Sequence, residues 1–206
     1  MTMRKRFFFL MMMPLCCVAQ TRYCASWQDF LSDQLQEVKG RVELKPSSKQ
    51  DRLAFEVKAS DKKTASLLRK SASVVEYVDS LYLNLRPFNT FGDVYVRAWK
   101  LGDKVLFARQ DIAPSSRFSI ANGDSGIPFT KKSFGSLSKL ENLVCYLAAW
   151  DPQREELRIA RVTSEVVVQL LVNHPQQLAQ YQQLDRKRQE AADVVIATLQ
   201  QEGILR

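Results

Sequence analysis

Gly102-Asp103 lies between two runs of alternating side chains, and this pairing limits the possible folds more than any other feature. Positions 94–101 read VYVRAWKL and positions 104–110 read KVLFARQ. Apolar and polar residues that alternate mark a strand, and a Gly-Asp pair supplies the positive φ of a two-residue hairpin turn. The register follows from the turn. Lys100 faces Val105, Ala98 faces Phe107 and Val96 faces Arg109; on the other side Trp99 meets Leu106, Arg97 meets Ala108 and Tyr95 meets Gln110. Val94, Val96, Ala98, Val105 and Phe107 make a dry face. Tyr95, Arg97 and Trp99 make a mixed one, the candidate ligand or partner face. Rings beside an arginine suit stacking on sugars or bases. The competing reading covers this face with a helix and lays the Arg97 stem across the rings.

Further strands are expected at 81–86, where Leu81, Leu83 and Leu85 alternate with Tyr82, Asn84 and Arg86, and at 41–45, 52–58, 74–78, 143–150 and 156–162. The helices lie outside this block or are short. Ser26-Trp27-Gln28-Asp29 fits a capping box, and Trp27, Phe30, Leu31, Leu35 and Val38 form one stripe that predicts an amphipathic helix ending near Gly40. Asp61 caps a short helix running to Lys70, with Ala65 and Leu68 inward and a basic cluster of Lys62, Lys63, Arg69 and Lys70. Thr163 opens a helical tail, and Pro175 suits the first turn of its second helix. From Leu178 to Leu199 the apolar residues stay on one face, which favours one bent helix. Arg186, Lys187 and Arg188 would oppose the dipole of a new helix starting there.

These elements predict an α+β fold: an antiparallel, strongly bent sheet of about seven or eight strands, flanked by an N-terminal amphipathic helix and C-terminal helices. The sheet occupies 41–162 and the helical tail 163–203, within one domain at 20–206. The punctuated segment 112–141, with Pro114, Gly123, Gly126, Pro128 and Gly135, is long enough to be a functional loop. Its Asn122-Gly123-Asp124-Ser125-Gly126 run lacks the spaced carboxylates of a calcium loop and reads as a turn.

Residues 1–19 read as a signal peptide. A basic start is followed by an apolar run too short to span a bilayer, and small residues precede Gln20. Lipidation at Cys16 or Cys17 fits poorly, because Leu15 or Cys16 stands where a small residue is needed. Without Arg4, Lys5 and Arg6 the 30 basic residues become 27 against 22 acidic ones, a surplus compatible with an anionic partner or with a solvated surface. An exported chain, periplasmic, cell-surface or secreted, allows Cys24 and Cys145 to bridge; the alternative is two buried thiols.

The lone histidine, His174, precedes Pro175 and reads as a cap or surface residue. No phosphate-cradling glycine loop, dinucleotide fingerprint or zinc spacing occurs, so no catalytic, cofactor or metal residue is assigned. Two function classes remain. One is a non-catalytic envelope protein that binds a protein or surface glycan. The other is a hydrolase using dispersed acidic residues, which carry no local signature. Nothing points strongly to nucleic acid, and no apolar run after the leader reaches membrane-spanning length.

Several segments together resemble a family of uncharacterised exported proteins of Bacteroidota bacteria, a domain of unknown function. They are Tyr23-Cys24 followed by Trp27 to Leu31, DSLYLNLR at 79–86, YVRAWKLGDK at 95–104, Val144-Cys145-Tyr146-Leu147, and the tail with Arg161-Val162-Thr163, Pro175 and Tyr181. The resemblance implies an envelope or secreted location and carries over no catalytic residue.

Overall fold

A computed structural model describes residues 20–47, 53–88, 94–110 and 143–205. The leader 1–19 and the segment 112–141 lie outside the described residues. In chain order the first half holds β1 (Arg22–Cys24), α1 (Trp27–Leu31), β2 (Gln36–Glu37), β3 (Val42–Pro46), β4 (Ala54–Ala59), α2 (Lys62–Lys70), β5 (Val74–Tyr77) and β6 (Ser80–Asn84). The second half holds β7 (Tyr95–Leu101), β8 (Lys104–Gln110), β9 (Leu143–Asp151), β10 (Glu156–Arg161), α3 (Ser164–Leu170), α4 (Pro175–Gln182), α5 (Arg186–Gln189) and α6 (Ala192–Gln201). The architecture is α+β, with one open antiparallel sheet. All eight expected strands are present, and β1 and β2 bring the described total to ten. These two are three and two residues long, too short to show a period.

The main path of the sheet runs β10-β9-β8-β7-β6-β5-β1-β2, and β7 is its pivot. Gly102 takes φ 59° in the turn, and Ala98 pairs Phe107, Trp99 pairs Leu106 and Lys100 pairs Val105 as expected. The expected pairs beyond Ala98 do not form. Val96 and Tyr95 pair Ala54 and Phe55 of β4 instead, while Ala108, Arg109 and Gln110 stay with β9. A strand has only two edges, and β6 holds the other one of β7. β8 therefore yields its place once β4 docks.

Alternation then sorts the core. On one face Cys24, Val74, Leu83, Val96, Ala98, Val105, Phe107, Val144, Tyr146 and Ala148 form a continuous cluster sealed by Trp27 and Phe30 of α1. On the other face two clusters share the surface. The C-terminal helices cover Leu106, Ala108 and Cys145 with Val167, Leu171, Tyr181, Val195 and Leu199. Leu68 of α2 covers Tyr23, Val75 and Tyr95, joined by Val42, Leu44 and Val57 of the β3–β4 hairpin.

Two helical expectations are corrected. The Ser26–Asp29 capping box forms, but α1 stops at Leu31, where Asp33 turns left-handed at φ 57° and Gln36-Glu37 joins β1. Leu35 and Val38 still point inward from non-helical backbone. Gly40 caps no helix; it takes φ 104° ahead of β3, and a Cβ there would meet Ser60 Oγ at 3.0 Å. The tail is not one bent helix from Leu178 to Leu199 but three pieces. Asp185 caps α5 by accepting from Arg188 N, and Ala191 is extended because it bridges Val144 of β9. Tyr181 Oη donates to Gln189 O at 2.7 Å and Gln189 Nε2 donates to Tyr181 O at 3.2 Å, so the break is held from both sides. A single-turn helix has little dipole, so the three basic residues cost little there.

Cys24 and Cys145 are both free and buried. They lie in clusters on opposite faces, with four strands between β1 and β9, so the bridge left open by the sequence is not formed. Burial pushes the Cys24 thiol up from 9.0 to about 11 and the Cys145 thiol to about 12. The folded chain thus holds these protons more tightly than the unfolded chain. Their contribution to stability is complete below pH 9 and is lost as pH rises towards 11–12. Two results are expected: a urea midpoint that falls above pH 9, and peptide-mapped alkylation of both thiols that is slow at pH 8 until denaturant is added. Rapid labelling of either thiol in the native protein at pH 8 would contradict the burial.

Candidate functional site

The mixed face of β7 divides among three environments. Tyr95 is buried under α2, and its hydroxyl donates to Leu68 O. Burial raises its phenol well above the usual tyrosine range. Trp99 is half-buried and packs against the C-terminal helical cluster. Arg97, between them, is exposed, and its guanidinium carbon stands 5.6 Å from the Trp99 ring centroid. The three residues therefore do not form one open platform. Helices cover both ends of the face, and the strip at Arg97 remains open.

Two side chains that the sequence did not mark complete the strip. Tyr82 of β6 lies directly opposite Arg97 in the ladder. Its ring meets Phe55 of β4 edge-on, with centroids 5.1 Å apart and planes at 75°. Partial burial raises the Tyr82 phenol, while the nearby charge of Arg97 pulls it back down. No sequence signal could have joined Phe55 to this face, because the β4–β7 pairing exists only where β8 departs.

The same face receives the C-terminal end of α2. Asp61 caps the helix through Thr64 N at 2.7 Å, and Leu68 is fully buried, as expected. The carbonyls at the far end are taken by side chains of the sheet. Asn84 Nδ2 donates to Ala72 O at 2.8 Å and to Arg69 O at 3.3 Å, and Tyr95 serves Leu68 O. A helix end leaves such carbonyls without partners of its own, so these bonds fix where α2 stops. Arg69 and Lys70 sit exposed in that last turn, and Arg69 Nη2 reaches Val57 O at 3.4 Å. The basic cluster and the aromatic–arginine face, separate in the sequence, thus lie on one side of the sheet.

The half-buried carboxylates of the described residues are engaged elsewhere. Glu76 pairs with Arg22 at 2.6 Å, Asp151 with Arg158 at 3.0 Å and Glu190 with Arg161 at 2.9 Å. Glu43 pairs with Lys45, Glu56 accepts from Ser47, and Asp29 completes its cap. His174 is the residue before α4, and its Nδ1 lies 2.6 Å from Glu202 Oε2, tying that helix to the end of α6. Arg97 has no carboxylate within ion-pair distance among the described residues.

Among the described residues no helix is long and apolar enough to cross a membrane. No curated protein and no solved structure matches the chain. A family model described as a family of unknown function (DUF6563) matches residues 22–202, from the first strand to the end of α6, and the chain belongs to that family.

Proposed function

We propose that the protein is an exported, non-catalytic binding module of the bacterial cell envelope, engaging a surface glycan or an envelope protein through the strip around Arg97. The observation that carries this reading is an exposed arginine, lying over the Trp99 ring and facing Tyr82, with no carboxylate at ion-pair distance among the described residues. An exposed cation over a ring offers its donors to a partner, whereas the half-buried carboxylates among the described residues sit in ion pairs, hydrogen bonds and caps. Export rests on the composition of residues 1–19, and an origin in Bacteroidota on the resemblance of the segments quoted above.

Expression in a Bacteroidota host, followed by fractionation and N-terminal sequencing, tests the first half. The mature protein is expected outside the cytoplasm, beginning at Gln20. Co-sedimentation of the purified mature chain with washed envelopes tests the second. The wild type is expected in the pellet, and Arg97→Ala is expected to leave most of it in solution. A wild type that stays in the supernatant refutes the reading.

A further inference from the structure

We infer that the Arg97 strip binds a carboxylated glycan, a chain containing uronic acid residues. The inference rests on the binding-module reading above and names its ligand class.

Charge complementarity favours a carboxylate. Arg22, Arg158, Arg161, Arg186 and Arg188 each meet a carboxylate of the chain. Arg97 meets a ring instead. The guanidinium lies over the Trp99 ring at cation–π distance and is exposed, so its N–H donors are available to a carboxylate, which the planar fork can take with two parallel hydrogen bonds.

The end of α2 brings a further positive charge to the same side of the sheet. Tyr95 and Asn84 occupy the carbonyls of Leu68, Arg69 and Ala72, so the negative end of α2 is already hydrogen-bonded and Lys70 remains exposed. A polymer bearing repeated carboxylates meets both Arg97 and this helix end, whereas a single acidic side chain meets only one.

The neighbourhood of Arg97 suits a sugar. Tyr82 and Trp99 flank it with half-buried rings, suited to the C–H face of a sugar. An anionic lipid surface would want exposed apolar side chains around the cation that can enter the bilayer, and the two rings beside Arg97 are half-buried in the fold. The exposed large apolar residues Leu31, Val78, Val172 and Leu184 are on other elements.

Calorimetric titration of the mature chain with an oligogalacturonate, with the same oligomer after carboxyl reduction, and with vesicles containing an anionic phospholipid tests the assignment. Binding of the oligogalacturonate is expected, at least tenfold weaker after carboxyl reduction, at least tenfold weaker in Arg97→Gln, and weaker in Lys70→Gln. Arg97→Lys keeps the charge without the fork and should fall between the wild type and Arg97→Gln. Arg97 is exposed, so folding of each variant is checked by an unchanged urea midpoint. Equal affinity for the reduced oligomer, no loss in Arg97→Gln, or binding to vesicles in place of oligogalacturonate overturns the assignment. Failure to bind oligogalacturonate while envelopes still carry the protein down removes the carboxylated glycan and leaves the binding module. Failure in both removes both.

Discussion

Replacing Phe107 with alanine is expected to lower the unfolding free energy by about 3–5 kcal/mol. The ring is fully buried and stacks on Tyr146 with centroids 5.5 Å apart. It pairs Ala98 on one side and Tyr146 on the other, at the last rung where β7 and β8 remain joined. Alanine would open a cavity where backbones on both sides are held in ladders and cannot close over it. Urea denaturation followed by circular dichroism checks the number. Phe107→Leu, which keeps most of the volume, is expected to cost less than half as much. A loss under 1 kcal/mol in Phe107→Ala would mean that the fork of the sheet is not where the pairing puts it.

Asn84→Leu comes second, at about 2–4 kcal/mol, although it adds apolar surface to a buried site. Asn84 is only 4% exposed, and its amide serves Ala72 O, Arg69 O and Arg86 N. Leucine removes these partners while the surroundings stay dry. Amide hydrogen exchange should show the loss first in the last turn of α2. Tyr95 would still hold Leu68 O, so α2 is expected to loosen without global unfolding at 25 °C. Faster exchange spread evenly over the chain would show that Asn84 acts on the whole core.

The eight longer strands were legible because alternation is local and the sheet buries parts of both faces. The hairpin at Gly102-Asp103 was legible because a two-residue turn sets its own register near the turn. Four residues further along β7 the same logic failed, since β4 arrives from forty residues upstream to take the edge. The N-terminal stripe predicts one long helix because Leu35 and Val38 fall at helical spacing. They face the core from non-helical backbone because Gln36-Glu37 finds a partner in β1. The candidate site was half legible. Arg97 and Trp99 were marked by their alternation, while Tyr82 and Phe55 join them only through strand pairing.

Local rules written into neighbouring residues determined the strands, the turn at Gly102, the caps at Ser26 and Asp61, and the class of fold. Tertiary contact alone decided which strand claims each edge of β7, where the tail breaks at Ala191, that the two thiols lie apart, and which part of the mixed face stays open. The reason is that a backbone edge can be occupied once only. Which of several capable partners occupies it depends on the packing of the whole molecule and not on the residues beside it.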